Sequence, residues 1–181
     1  MKTIRLVIFS FILTLSLDFY SLDAFSQDKI QWYTIEQAEK LARTNPKKIF
    51  IDVYTDWCGW CKKMDATTYQ DSRIIKLLNG DFYPVRLNGE DKANILFKEK
   101  AYKFVPYGRS GYNELAAILL DGKMSYPTTV YLDESLNEIQ PIPGYQTVEN
   151  LEPILIFLGQ DYYKKITWQQ FLAQNYTNPK N

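Results

Sequence analysis

Cys58 and Cys61 are the only cysteines in a chain of 181 residues that contains no histidine at all. Without histidine, Ser-His-Asp and Cys-His catalysis, imidazole proton shuttles and every His-containing zinc site are excluded. Three chemistries remain for the pair. Two thiolates are half of a zinc ligand set, and no further cysteine or histidine exists to complete it. An inert structural disulfide would close so short a loop that it constrains little of the unfolded chain. The third is a redox pair, in which one thiolate attacks a disulfide and the second thiol resolves the mixed disulfide. That chemistry is favoured where a helix begins, because free backbone N–H groups and the positive end of the helix dipole stabilise a thiolate there.

The flanking elements supply such a position. Lys47 to Thr55, with Ile49, Phe50, Ile51, Val53 and Tyr54, reads as a strand buried on both faces in the middle of a sheet. It delivers the chain into Asp56-Trp57-Cys58-Gly59-Trp60-Cys61, and a helix follows to about Tyr69. Cys58 then stands at the helix start as the attacking thiolate, with Cys61 one turn further in, less exposed, as the resolving thiol. Upstream, Thr34-Ile35-Glu36-Gln37 reads as a capping box opening a helix that Pro46 ends. Downstream come a helix over 72–79 closed by Gly80, a strand over 82–88 and helices over 92–104 and 113–120. Pro84 requires an edge or a distortion in the strand over 82–88. A tyrosine- and glycine-rich loop over 105–112 joins the two helices. A strand over 128–132, an edge strand over 138–142 and helices over 148–158 and 167–174 complete the chain. Helices alternating with strands early, then two strands pairing late, predict an α/β fold: a central mixed sheet covered by helices on both faces.

Composition sets outer bounds. The chain is 46% hydrophobic and carries 21 basic against 21 acidic residues, which fits one compact domain and removes the electrostatic footprint of a nucleic-acid binder. No nucleotide-binding motif is present. Met1 to Arg5 carries two positive charges and is followed by an apolar run from Leu6 to Leu17, too short to span a bilayer, with small residues at Ala24 and Ser26. A secretory signal peptide over 1–26 and a mature domain over 27–181, periplasmic or secreted, are expected. Retention of the signal as a membrane tether is the alternative.

Residues Ile51-Asp52-Val53-Tyr54-Thr55-Asp56-Trp57-Cys58-Gly59-Trp60-Cys61-Lys62 resemble the active-site segment of the thioredoxin superfamily, including the tryptophan before the first cysteine and the acidic residue six positions ahead. Tyr126-Pro127-Thr128, leading into Thr129 to Leu132, resembles that family's cis-proline loop and following strand. Arg86-Leu87-Asn88 is similar to its basic-Leu-Asn strand end. The Gly-Trp dipeptide followed by Lys-Lys-Met-Asp looks most like exported bacterial members. The resemblance implies a thioredoxin-like fold with a helical insertion at about 91–125 before the cis-proline strand and a C-terminal helical extension at about 159–181. Tyr162, Tyr163, Trp168 and Phe171 of the extension are expected to close the core.

The resemblance also implies roles. Asp52, buried with a raised pKa, would accept and return the proton of Cys61. Arg86 either holds that carboxylate or is solvated. Tyr126, a cis Pro127 and Thr128 would offer a substrate strand-like hydrogen bonds. Trp57, Gly59 and Trp60 would form an apolar contact surface, with core packing as the alternative for the tryptophans. The implied protein is a monomeric periplasmic thiol–disulfide oxidoreductase without metal or cofactor. It reduces disulfides in exported proteins and draws electrons from a membrane-bound donor. Trp60 stands where strongly oxidising relatives carry a histidine, and the lost charge raises the Cys58 pKa and makes the dithiol more reducing. A thiol oxidase and a non-catalytic binding or adaptor module using the tyrosine-rich insertion are the alternatives.

Overall fold

The computed structural model describes residues 29–175, so the leader expected over 1–26 lies outside the described residues. In chain order the elements are α1 (Ile35–Thr44), β1 (Lys48–Tyr54), α2 (Gly59–Ala66), α3 (Ser72–Asp81), β2 (Phe82–Asn88), β3 (Ile95–Phe97), β4 (Lys100–Tyr102), β5 (Phe104–Tyr107), β6 (Ser110–Asn113), α4 (Glu114–Leu119), β7 (Thr128–Leu132), β8 (Glu138–Pro143), α5 (Val148–Gly159) and α6 (Trp168–Asn175). Short 3-10 turns follow α2 and α5. The main sheet has the order β2-β1-β7-β8, with β1 parallel to β2 and antiparallel to β7, and β7 antiparallel to β8.

β1 alternates, and the alternation sorts the core. Ile49, Ile51 and Val53 pack with Ile35, Ala38 and Ala42 of α1, with Ile95 and Phe97, and with Leu115 and Leu119 of α4. Phe50 turns to the other face and packs with Met64, with Ile74 and Leu78 of α3, with Tyr131, and with Leu151 and Leu155 of α5. Asp52, two residues on from Phe50, shares that second face. Helices thus cover both faces of a mixed sheet. Pro84 sits in an edge strand. Its carbonyl accepts from the Tyr33 N–H at 2.8 Å on the outer side, so its missing N–H falls where no ladder partner is required. The capping boxes form as the sequence requires: Gln37 N–H donates to Thr34 Oγ1, and Gln170 N–H to Thr167 Oγ1, both at 3.3 Å. Gly80 does not close α3, which runs one residue past it to Asp81.

The insertion departs from expectation. Residues 92–104 are not helical: β3–β4 and β5–β6 are two antiparallel hairpins, and the tyrosine-rich stretch forms the second of them rather than a loop. Only α4 of the insertion is helical. Ile95 and Phe97 are buried while Leu96 between them is exposed, which is a period of two. Lys98 and Glu99, inside the helix expected over 92–104, take positive φ angles of 51° and 63° and turn the first hairpin. Two carboxylates of α1 hold it: Glu36 accepts from the Leu96 N–H and Glu39 from the Lys98 N–H. Asn113 anchors the second hairpin. It is fully buried, donates through Nδ2 to the carbonyls of Asp91 and Ala93, and caps α4 through Oδ1. Its N–H donates to the Gly89 carbonyl just beyond β2, at 2.8 Å.

The extension closes on α5. Phe171 is buried against Phe157, Tyr162 and Trp168, with ring centroids 5.0–5.6 Å away. Lys48 at the start of β1 is buried too, paired with Glu134 at 2.6 Å and with Asp161 at 2.9 Å.

Candidate active site

Cys58 and Cys61 form a disulfide. Cys58 is the N-cap of α2, and the Cys61 N–H donates to its sulfur at 3.0 Å. A helix N-terminus that already aims an N–H at this sulfur stabilises it as a thiolate once the bond is reduced. Accessibility does not separate the pair as expected: residue exposure is 4% for Cys58 and 3% for Cys61, so only their positions in the helix distinguish them.

Both flanking tryptophans are on the surface rather than in the core, Trp57 at 66% and Trp60 at 56% exposure. Each meets a tyrosine. Trp57 lies edge-to-face on Tyr126 with ring centroids 5.9 Å apart, and Trp60 tilts against Tyr145 at 5.3 Å. Lys63 Nζ sits over both rings of the second pair, 4.9 and 5.2 Å from their centroids. Tyr145 gave no signal in sequence beyond lying after Gly144. The Tyr126–Pro127 peptide is cis, and the Pro127 carbonyl accepts from the Gly144 N–H at 2.8 Å. Because Trp57 precedes Cys58 and Tyr126 precedes Pro127, the Trp57–Tyr126 contact joins the cysteine motif to the cis-proline loop. Thr128 is buried at the start of β7, opposite Val53. Gly59 opens α2 with open space where a Cβ would stand.

Asp52 is buried at 1% exposure, and burial pushes its carboxyl up to about 6 against the opposing pull of Arg86. Arg86, opposite it in the β1–β2 register, brings Nε to 3.1 Å from Asp52 Oδ2 as an ion pair off the line of a hydrogen bond. Among the described residues Asp52 Oδ1 has no hydrogen bond of good geometry, although the neighbouring Tyr69 hydroxyl also helps to hold the carboxyl's pKa down. The arginine's strong contacts go elsewhere. Its two terminal nitrogens fork onto Asp65 of α2 at 2.6 and 3.2 Å, and its guanidinium lies over the rings of Tyr54 at 4.3 Å and Trp32 at 5.2 Å. Arg86 thus lies beside the Asp52 carboxylate and shares its charge with Asp65, a partner that sequence reasoning missed. The available signal was Asp65's place four residues after Cys61, on the same side of the helix. Among the described residues no group of three metal-ligating side chains occurs, and no helix is long and apolar enough to cross a membrane.

A mixed sheet flanked by helices, a cysteine pair at a helix N-terminus and a cis-proline loop joined to it define a thioredoxin-fold protein of the thiol–disulfide oxidoreductase type. The sequence profile of the thioredoxin-like domain family matches residues 35–159, and the chain belongs to that family. It is 32% identical over 45% of its length to human spermatogenesis-associated protein 20, and 28% identical over 67% to the thiol:disulfide interchange protein DsbD of Campylobacter jejuni. It spans 10% and 20% of those two relatives. Among solved structures, a thioredoxin-fold protein from Helicobacter pylori superposes with a TM-score of 0.55 at 16% identity, covering 83% of this chain and 88% of the other.

Proposed function

We propose that this chain is a thiol–disulfide oxidoreductase of the bacterial periplasm that reduces disulfides in exported proteins. The observation that carries the reading is the Cys58–Cys61 disulfide capping α2 beside a cis-proline loop that Trp57 and Tyr126 hold in place. In the reduced protein the Cys58 thiolate attacks one sulfur of the substrate disulfide, and the other leaves as a thiolate that takes a proton. The substrate strand lies against Tyr126, Pro127 and Thr128, with Trp57, Gly59 and Trp60 forming the contact surface. Cys61 then gives its proton to Asp52 and attacks the Cys58 sulfur. The second substrate thiolate leaves, and two electrons have passed from the dithiol to the substrate. A buried carboxyl with its midpoint near 6 is suited to take that proton at neutral pH and return it.

The reducing direction is supported by Trp60 between the cysteines, which supplies no charge to the Cys58 thiolate. The periplasm is supported by the leader-like composition of residues 1–26. In that compartment electrons come from a membrane-bound donor. The mature domain over 27–181 acts as a monomer without metal or cofactor.

Two measurements test this. Cys61→Ser accumulates mixed disulfides at Cys58 when exported proteins are present, and Cys58→Ala abolishes them. The Cys58/Cys61 potential, read in graded dithiothreitol buffers, falls near about −270 mV for a reductase, whereas a value near about −120 mV makes the protein an oxidase. A variant that traps no thiol partner leaves an adaptor.

A further inference from the structure

Between the cysteine motif and the β5–β6 hairpin lies a cleft of about 420 Å³. Trp57 and Tyr126 line it from the cysteine motif and the cis-proline loop, and Tyr107 and Tyr112 line it from the hairpin. Gly89 makes room for this arrangement, since a Cβ there would run into the Tyr126 ring. Among the described residues the only charged one lining the cleft is Glu90, next along the chain from that glycine. Glu90 Oε1 accepts from Ser110 Oγ at 3.0 Å, and no cation pairs with Glu90 among the described residues. Burial and the charge of Glu90 keep the Tyr126 hydroxyl protonated, so the negative charge of the cleft is the carboxylate's alone.

Four aromatic rings with one unpaired carboxylate have a definite chemical preference. The π faces attract a cation. An apolar side chain would fill the same volume but strip water from Glu90 without replacing it, and an acidic one would be repelled. A lysine or arginine side chain meets both needs: its methylene stem packs on the rings and its head group pairs with the carboxylate. We propose that this cleft receives a lysine or arginine of the substrate polypeptide close to the cysteine that Cys58 attacks, a specificity that rests on the exchange reaction proposed above. The insertion then selects disulfides with a basic flank.

The test uses the reduced full chain and a set of disulfide-linked peptides, identical except for lysine, norleucine, phenylalanine or glutamate at one of the two positions on either side of the target cysteine. Exchange is followed by stopped-flow tryptophan fluorescence. At one of these positions the lysine peptide reacts about tenfold faster than its norleucine twin, and the glutamate peptide slower than both. Glu90→Gln cuts the lysine advantage to less than about twofold, and Tyr107→Ala, which alters a residue 79% exposed and so spares the fold, also reduces it. Equal rates for lysine and norleucine at every position, a faster phenylalanine peptide, or a lysine advantage that survives Glu90→Gln would each overturn the proposal. Hydroxyethyl disulfide, neutral and too small to bridge the cysteine and the cleft, separates the two readings. If the wild-type protein exchanges with it but shows no lysine preference, the cleft proposal alone fails. If it exchanges with no disulfide, the oxidoreductase reading fails and takes this one with it.

Discussion

Asp52→Asn replaces the buried carboxylate of β1 by a neutral group of the same shape, and its effect on stability follows from the environment. Burial lifts the carboxyl from 3.8 to about 6, with the attraction of Arg86 already opposing that rise. At 1.36 kcal/mol per pKa unit, ionising Asp52 inside the fold costs about 3 kcal/mol more than ionising it in the unfolded chain. The folded-state pKa is the raised one. Asp52 therefore leaves stability undiminished below about pH 3.8, erodes it as the pH climbs to about 6, and holds a constant penalty above that. Asparagine never ionises, and Arg86 keeps its fork onto Asp65 in the variant. Guanidinium unfolding of the oxidised protein at pH 3.5, 5 and 7.5 should show the variant more stable by about 3 kcal/mol at pH 7.5, with the gap closing toward zero at pH 3.5. A gap independent of pH, or a variant less stable at pH 7.5, would refute the reasoning, because the Asp52–Arg86 pair would then outweigh the desolvation of the carboxylate. On the proton-transfer role proposed for Asp52, the same substitution should slow resolution of the mixed disulfide, so that stability and turnover move in opposite directions.

Arg86→Met removes the attraction that holds Asp52 down, so the Asp52 midpoint should rise above about 6; a carbon-13 titration of its carboxyl that shows no upward movement contradicts the role given to Arg86. Lys48→Ala leaves Glu134 and Asp161 with Lys164 as their shared cation and frees the Gly159 carbonyl, at a cost of about 2 kcal/mol because the exposed Lys164 and water replace only part of what the buried lysine supplied; an unchanged guanidinium midpoint would mean that Lys48 does not hold the C-terminal extension to the sheet. Gly89→Ala forces the Tyr126 ring from its seat, with an expected loss of about 1–3 kcal/mol and a changed near-ultraviolet dichroism from the Trp57–Tyr126 pair, and an unaltered spectrum would show that the ring is not held there.

What was legible in the sequence was what local chemistry decides. The continuous apolar run of β1, the cysteine at the first turn of α2, the two capping boxes and the proline-flanked edge strand each depend on neighbours within a few residues, and each lies where the sequence puts it. Residues 92–104 failed for the complementary reason. Lys98-Glu99-Lys100 suits a solvated helix face as well as a hairpin turn, and contacts distant in sequence decide between them: Glu36 lies 60 residues from the Leu96 N–H it accepts. Asp65 was hidden in the same way. On α2 it reads as one more surface charge, and only the β1–β2 register, which sets Arg86 opposite Asp52, brings the guanidinium within its reach. Exposure of Trp57 and Trp60 was likewise undetermined, since a tryptophan beside a buried strand serves a core or a surface equally well.

The alternation of β1 also separates the two roles proposed for this chain, proton transfer and substrate selection. Asp52 shares its face with Phe50, among α3, α5 and the end of α2, where burial sets its proton affinity. The insertion packs on the opposite face, through Ile95 and Phe97 against Ile49, Ile51 and Val53. The insertion reaches the cysteine motif through the chain just beyond β2, where Gly89 admits the Tyr126 ring, its carbonyl holds Asn113, and Glu90 enters the cleft. On the cleft proposal, changes in the β5–β6 hairpin alter which substrates dock without disturbing the buried carboxylate and its arginine, because among the described residues neither the core cluster around Phe50 nor the ion pairs of Arg86 includes a residue of that hairpin. The proposed proton chemistry would then be fixed by the core, and the proposed specificity left to a surface element held by one buried asparagine and a glycine.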